Sequence, residues 1–407
     1  MKITRLWMVW LLIGLTAFSS PGVSQENAPR WPMFRKHTLD GGAHESVAVA
    51  DVNKDGRLDI IAGENWFEAP AWKKRRIREI LLPNGYPDDY SNFALDVNGD
   101  GNVDVIACSW FSKKLAWFEN PGKHDQEPAL WKEHVIETGF NYELILLVDI
   151  DGDGQAREIL PNYGTSPEIA WFEHVASSPG KESTAPASAG EWVRRPVGRV
   201  PEVKGVHGIG AGDLNRDGRT DIITPRGWFE APANPRADSW AFHPDFRLAP
   251  PRGQCSPIYA LDVNRDGKPD LLYGSGHAYG VFWLENKGGQ WKEHLIDDSW
   301  SQAHALTVAD LDRDGKPDFI TGKRYFAHEY DPGAYEPLGL YWYRLLEGGT
   351  YIKHVVDYGG KTGGGMQIAV VDLDGDGDLD LIAPGKSGLY LFEQVEIQRQ
   401  KERQSPR

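Results

Sequence analysis

Cysteine is scarce in this sequence, with 2 residues in a chain of 407. Two cysteines cannot form the disulfide framework that holds many secreted domains together. Cys108 and Cys255 also lie in distant repeats, and we expect no bridge between them. A disulfide framework is therefore excluded as the source of stability.

Long apolar runs are also rare. The one such run extends from Leu6 to Phe18, follows the basic residues Lys2 and Arg5, and is followed by small residues. It is too short to span a bilayer comfortably, but a basic start, an apolar stretch and a small-residue end are typical of a secretory signal peptide. We expect residues 1–24 to be cleaved, and the mature protein to be secreted, extracellular or periplasmic, with no membrane span.

The chain has no surplus of basic residues, and its formal net charge is -15 at pH 7. Nucleic-acid-binding proteins need a basic surface, so this charge argues against a nucleic-acid partner. Many of the acidic residues are concentrated in short loops. Such loops indicate metal binding.

One acidic segment occurs seven times, first as DVNKDGRLD and last as DLDGDGDLD. An apolar, β-rich run such as VAVA precedes each copy and another such as IIAG follows it, which predicts strand, loop and strand. Repeats at this period are typical of a solenoid, propeller or array. The copies begin at Asp51, Asp96, Asp149, Asp213, Asp262, Asp310 and Asp372.

Two further strands follow in each repeat. The third is aromatic, as in NWFEAP and LAWFENPG, and the fourth begins near a tryptophan, as in QWKEHLID. Four strands per repeat make the blade of a propeller. We therefore predict an all-β, seven-bladed β-propeller over residues 31–395, followed by a disordered charged tail at 396–407.

The two ends of the repeat array complement each other. The segment WPMFRKHTL at 31–39 resembles a lone fourth strand, and the last repeat stops after its third strand at Phe392. We expect the N-terminal strand to close the last blade. Two inserts, at 175–190 and 325–339, interrupt the regular spacing of the repeats.

The repeat resembles the FG-GAP or VCBS repeats that form the propeller of integrin α-subunit heads. The match covers nearly all of the chain after residue 30. It implies the same ring of blades.

The DxDxDG loops are predicted to bind calcium. Alternate carboxylates converge on a hard cation, glycine permits the sharp turn, and a later acid completes the oxygen cage. Seven copies indicate a structural role. In the third copy Arg157 stands where the last aspartate is expected and Glu158 follows it, which leaves its occupancy open. The candidate ligands are Asp51, Asn53, Asp55, Asp59; Asp96, Asn98, Asp100, Asp104; Asp149, Asp151, Asp153, Glu158; Asp213, Asn215, Asp217, Asp221; Asp262, Asn264, Asp266, Asp270; Asp310, Asp312, Asp314, Asp318; and Asp372, Asp374, Asp376, Asp380.

A singular site is expected at the axial funnel. The starts of the first strands and the ends of the second strands lie on the disc face opposite the acidic loops, and the residues there differ between repeats. Two histidines and a glutamate are a common ligand set for catalytic zinc, and His207, His304 and Glu143 supply one, with Glu45 or His44 as an alternative third ligand. The competing interpretation is that each histidine only hydrogen-bonds a neighbouring blade.

Other funnel residues are candidates for catalysis and substrate binding. The insert at 325–339 has no counterpart in other repeats and is either a simple cover or a substrate-binding lid. The predicted catalytic residues are His277, Lys323 and His328, and the predicted substrate-binding residues are Glu45, Tyr90, Arg226, Tyr259, Arg324 and Lys386. By contrast, histidines that recur in the fourth strands are assigned no function: His37, His134, His294 and His354.

Three functions fit these residues. The repeat, the WFE strands and the funnel histidines resemble the propeller domain of fungal aldos-2-ulose dehydratases, which implies a zinc-assisted β-elimination on a keto sugar, although the chain has no room for that family's cupin and lectin-like parts. A resemblance to calcium-bearing rhamnogalacturonan lyases implies an uronate substrate and no transition metal. A resemblance to integrin heads implies a non-catalytic module that binds a glycan or a protein. We expect a monomer with a carbohydrate ligand.

Overall fold

The computed structural model describes residues 31–122, 130–175, 190–201, 207–248, 255, 257–325 and 328–395. The predicted signal peptide and the predicted tail lie outside these ranges. The described residues from Pro32 onward form one compact unit. Apart from two single-turn 3-10 helices, Pro83–Gly85 and Glu347–Gly349, the regular structure in the described ranges is all strand. None of the described helices is long and apolar enough to cross a membrane.

Each acidic loop joins the first and second strands of a four-strand run, as the repeat predicts. In chain order the described strands are β1 (Phe34–Asp40), β2 (Val47–Ala50), β3 (Asp59–Ala62), β4 (Asn65–Glu68), β5 (Lys73–Arg76), β6 (Ser91–Leu95), β7 (Asp104–Ser109), β8 (Lys114–Glu119), β9 (Lys132–Thr138), β10 (Tyr142–Val148), β11 (Glu158–Tyr163), β12 (Glu168–Val175), β13 (Glu191–Arg199), β14 (Gly210–Gly212), β15 (Asp221–Thr224), β16 (Gly227–Glu230), β17 (Ala241–His243), β18 (Ile258–Leu261), β19 (Asp270–Gly274), β20 (Tyr279–Asn286), β21 (Trp291–Ser301), β22 (Ala303–Ala309), β23 (Asp318–Lys323), β24 (Gly339–Leu345), β25 (Tyr351–Tyr358), β26 (Ala369–Val371), β27 (Asp380–Gly385) and β28 (Gly388–Gln394).

Five four-stranded antiparallel sheets are separate blades. Four of them use consecutive strands, β2 to β5, β6 to β9, β10 to β13 and β22 to β25. The fifth has the order β1-β28-β27-β26, in which Phe34 pairs with Gln394, so the N-terminal strand completes the last sheet as the sequence predicts. Several first strands of neighbouring blades contact each other, namely β2 with β6, β6 with β10 and β22 with β26, and β26 contacts β2. The fold is an all-β propeller.

The remaining eight strands form one continuous sheet, so the prediction of seven separate blades is wrong. Strands β14 to β17 and β18 to β21 each form a four-stranded antiparallel run, but β14 and β18 also pair in parallel. Glycine explains this contact: a Cβ atom added to Gly210 would lie 2.1 Å from the carbonyl oxygen of Ile258, and one added to Gly212 would lie 2.6 Å from the Cβ of Ala260. Because Gly210 and Gly212 carry no Cβ atom, the two backbones approach closely enough to pair.

Alanine at position 210 is expected to weaken this junction. The added methyl group would push β14 away from β18, and overpacking of this kind costs about 1–3 kcal/mol. Urea unfolding of Gly210→Ala should therefore show a lower midpoint than the wild type. Gly41→Ala is the matched control, because a Cβ atom there meets nothing within 4 Å. Equal midpoints for the two variants would contradict the account.

The WFE strands pack between the sheets, as their repetition predicts. Trp66 and Trp171 are completely or almost completely buried, and each lies in an apolar cluster that joins two neighbouring sheets. Recurrent histidines stack on the repeated tryptophans, with His134 on Trp117 at a ring-centre distance of 4.0 Å. The equivalent pairs are His294 on Trp283, His354 on Trp342 and, unnoticed in the sequence, His243 on Trp228.

Both cysteines are free and buried. Burial raises the pKa of each thiol above its ordinary value. Cys108 and Cys255 therefore behave as small apolar residues of the core. The expectation of no bridge between them is confirmed.

Candidate metal centre

Each acidic loop is shaped by hydrogen bonds from its own backbone. In the first copy the carboxylate of Asp51 accepts bonds from the backbone N–H of Asp55 at 3.0 Å and of Gly56 at 2.9 Å, and the side-chain oxygen of Asn53 accepts a second bond from Asp55. Gly56 has a φ of 85°, in the left-handed region that glycine adopts without strain. The loop thus gathers its side-chain oxygens on one side.

The last acid of each loop ties the loop to the sheet. Asp59 is buried and accepts bonds from the backbone N–H of Val52 and of Ala69, which follows the third strand. Burial raises the pKa of Asp59 to about 6. In the third copy Glu158 accepts the corresponding bond from Ile150 at 2.9 Å. Glu158 rather than Arg157 therefore occupies this place, one residue later than in the other copies.

Three loops bring acidic ligand atoms within 4.8 Å of one another. They contain Asp149, Asp151 and Glu158; Asp310, Asp312 and Asp318; and Asp372, Asp374 and Asp376. Basic side chains engage the first two, because Arg236 bonds to Asp151 and Arg344 bonds to Asp312 and Asp314. In the third, the Oδ1 atom of Asp378 is buried without a hydrogen-bond partner in the described part of the chain. Of these three loops, the one at 372–380 is thus the most open to a cation.

A second group of ligands lies at the opposite ends of the strands. Glu143 belongs to β10, His304 to β22, and His277 to the turn between β19 and β20. One ligand atom from each lies within 4.8 Å of the other two, and all three residues are buried, with 3–6% of their surface exposed. Among the described residues, the Nε2 atoms of His277 and His304 have no hydrogen-bond partner.

Buried polar atoms without partners are costly and are rare in folded proteins. Burial and the charge of Arg324 hold the pKa of His304 well below its ordinary value, and burial lowers that of His277 despite the nearby Glu143 and Asp331. Both rings are therefore neutral near pH 7, which is the form that binds metals. The arrangement can hold a divalent cation between two imidazole nitrogens and a carboxylate.

His207 contacts the carboxylate of Glu143, which belongs to this group. Its Nδ1 lies 2.6 Å from Oε2 of Glu143. Burial opposes both charges, but their attraction lowers the pKa of Glu143 and raises that of His207. The structure thus brings the predicted set of His207, His304 and Glu143 together. The group of three mutually close ligand atoms, however, contains His277 in place of His207. The sequence suggested His277 as a base.

Residues of the insert reach the same place. The Nδ1 atom of His277 lies 2.8 Å from Oδ2 of Asp331. The exposed ring of His328 stacks on His277 at 5.0 Å, and Tyr330 stacks on His328 at 5.1 Å. His277, His328 and Asp331 form a second, overlapping group of ligand atoms. The unrepeated insert was the sequence signal for this part of the site.

A buried ionic cluster occupies the neighbouring side. Arg324 donates to Glu45 at 2.9 Å and 3.1 Å, and Nζ of Lys386 lies 3.5 Å from the same carboxylate. Burial raises the pKa of Glu45, but the two cations hold it below its ordinary value, while burial lowers that of Lys386 to about 7. The guanidinium also lies 5.5 Å from the ring centre of Tyr90. Glu45 is thus bonded to cations rather than grouped with the histidines.

The other predicted residues are held by the fold. His44, the alternative ligand, bonds to Asp40 at 3.0 Å. The amine of Lys323 is buried and donates to Ser301 Oγ and to the carbonyl of Gly333 in the insert, and burial lowers its pKa to about 8. The Tyr259 hydroxyl donates to the carbonyl of Leu306. Arg226 is partly buried at the end of the turn after β15.

Comparisons with known proteins agree with the repeat and the fold. The FG-GAP-like repeat family matches residues 96–156 and 262–321, and the chain contains these repeats. Virginiamycin B lyase from Staphylococcus aureus has a TM-score of 0.54 at 11% identity, over 90% of this chain and 100% of the lyase. Its catalytically inactive variant with quinupristin has a TM-score of 0.50 at 12% identity, over 89% of this chain and 100% of the variant. At these identities the likeness shows the fold alone.

A lectin from Agrocybe aegerita that recognises non-reducing terminal N-acetylglucosamine has a TM-score of 0.46 at 15% identity, over 80% of this chain and 81% of the lectin. Comparison with curated proteins gives no match.

Proposed function

We propose that this protein is a metal-dependent lyase that acts on a sugar, with its reaction centre at Glu143, His277 and His304. The observation that carries the proposal is the convergence of these three buried side chains, two of which have an Nε2 atom with no hydrogen-bond partner in the described part of the chain. Two histidines and one carboxylate suit zinc and leave a position open for water or substrate. The bound metal would polarise a carbonyl oxygen next to the carbon that loses its proton.

His328 is the proposed base. It lies beside His277, it is exposed to an incoming substrate, and burial of part of its ring lowers its pKa below the ordinary value despite Asp331. A neutral imidazole can accept the proton from carbon at physiological pH. The electrons of the broken C–H bond form the new double bond, and the oxygen on the adjacent carbon leaves and takes a proton from water.

The surrounding charges favour a neutral keto sugar over an uronate. A uronate lyase needs a free cation beside the substrate carboxylate, but Arg324 makes two short hydrogen bonds to Glu45. His207 in turn holds Glu143. A purely adhesive face would not require buried histidines whose Nε2 atoms have no hydrogen-bond partner among the described residues.

The rest of the chain is proposed to support this centre. The acidic loops are proposed to bind structural calcium on the opposite face, and the protein is proposed to be secreted after cleavage at about residue 24. A protein partner is not required for the reaction.

Metal analysis and a lyase assay test the proposal together. Protein stripped of calcium should retain one transition metal per chain, and incubation with keto sugars should produce the ultraviolet absorbance of a conjugated double bond. Uronate polymers should give no such signal. Absence of tightly held metal, or turnover only with uronates, would overturn the proposal.

The variant His328→Ala separates the base from the metal centre. Loss of general-base catalysis typically reduces a rate about 10²–10⁴-fold, and we expect a fall of that size in kcat with the metal content unchanged. His294→Ala is the control, because that ring stacks on Trp283 in a fourth strand. Full activity in His328→Ala would assign the base elsewhere.

A further inference from the structure

We infer that Asp331 is a positioning residue for the proposed metal centre: its carboxylate accepts the Nδ1–H of His277 and directs the lone pair of Nε2 toward the metal. The inference rests on the proposed function but goes beyond it. The insert, which no other repeat has, then contributes a positioning carboxylate to the reaction centre.

The hydrogen bond carries the first step. His277 Nδ1 and Asp331 Oδ2 are 2.8 Å apart, and both side chains are buried, each 5% exposed. A carboxylate can only accept, so Nδ1 carries the proton and Nε2 carries the lone pair. A histidine that binds a metal through one nitrogen commonly donates from the other to a carboxylate, which fixes its tautomer and orientation.

The insert is built to hold Asp331 in place. The backbone N–H of Asp331 donates to the carbonyl of His328, and the N–H of Ala334 donates to the carbonyl of Asp331, both at 3.1 Å. Two anchors then fasten the turn to the blades: the buried amine of Lys323 donates to the carbonyl of Gly333 at 2.6 Å, and the Tyr279 hydroxyl donates to Glu336. The carboxylate is thus positioned by a turn fixed on both sides.

Geometry separates this role from direct ligation by Asp331. Two ligands at about 2.0–2.1 Å from a tetrahedral zinc lie about 3.3 Å apart, whereas Asp331 and His277 are 2.8 Å apart. That distance is a hydrogen bond, with no room for an ion between the two atoms. The third member of the overlapping group, His328, is exposed and stacks face to face on His277.

Zinc titration of the full mature chain tests the inference. Apo protein, prepared with a chelator in excess calcium, is titrated with zinc for the wild type, Asp331→Asn and His328→Ala. Loss of an outer-shell partner typically weakens metal affinity about 10–100-fold, so Asp331→Asn should weaken zinc binding by that factor while His328→Ala stays within about threefold of the wild type. Asp331→Glu, which keeps a carboxylate acceptor, should recover most of the affinity even if Asp331→Asn folds poorly.

A second readout reports the tautomer directly. In nitrogen-15 NMR spectra of the apo protein, His277 should carry its proton on Nδ1 in the wild type and lose that preference in Asp331→Asn. Zinc binding that is equal in the wild type and Asp331→Asn would overturn the inference and leave the centre standing. An equal loss in His328→Ala and Asp331→Asn would place the metal in the overlapping group instead. A wild type that binds no zinc would remove the proposed function itself.

Discussion

Replacing His304 with alanine is expected to abolish transition-metal binding and turnover together. Zinc bound by a few protein ligands has a binding free energy of about 10–16 kcal/mol, so removal of one of three ligands should weaken the affinity about 1,000-fold or more. His304 is buried beside His277 and has no hydrogen-bond partner at Nε2 within the described residues. Metal content after dialysis, measured by mass spectrometry, should fall from one per chain to none.

The matched control for this variant is His354→Ala. His354 stacks on Trp342 in the fourth strand of its blade. It is not a member of the ligand group. It should keep its metal, and both variants should unfold at nearly the wild-type temperature in excess calcium. A His304→Ala protein that keeps its metal would show that the group is packing only, and one that fails to fold would assign His304 to the core.

Removing calcium is expected to lower the melting temperature far more than any single surface mutation. Each site that is occupied at about 100 times its dissociation constant adds about 2.7 kcal/mol to the stability of the folded state, and the chain has several acidic loops. The loop carboxylates are already gathered by backbone hydrogen bonds, so without a cation their mutual repulsion is offset only in the loops that basic side chains engage. Thermal unfolding with and without a calcium chelator measures the difference.

A single-loop variant shows which loop contributes. Asp376→Asn should reduce the number of bound calcium ions by one, because Asp372, Asp374 and Asp376 form an acidic group that no basic side chain pairs with in the described part of the chain. Asp238→Asn, an exposed acid outside the loops, is the control. An unchanged melting temperature on chelation would show that the loops stabilise the blades without metal.

The sequence predicted the blades well because the repeat recurs in one chain. Seven copies allowed strands, loops and the closure of β28 by β1 to be placed from pattern alone. The merger of β14 with β18 could not be predicted, because it depends on the pairing of residues such as Gly210 and Ile258 that lie far apart in the chain. Gly210 permits that approach, but glycine is common in turns and strands, so its presence in the sequence gives no warning.

The site could be predicted only in part. Glu143 and His304 stand at equivalent places in their repeats, so comparison within the chain brought them together. His277 instead follows the second strand of its repeat, in the turn between β19 and β20. The course of that turn could not be predicted from the repeat, so the sequence did not show that His277 joins the ligand group. Asp331 belongs to an insert without a second copy, so only its contact with His277 reveals its role.

Anomalous X-ray diffraction at the zinc edge, on crystals grown in calcium with added zinc, tests the central claim most directly. We expect one strong zinc peak at about 2.0–2.2 Å from Nε2 of His277, Nε2 of His304 and a carboxylate oxygen of Glu143. Either of two results would contradict it: no peak at this place, or hydrogen bonds to protein atoms at both Nε2 positions.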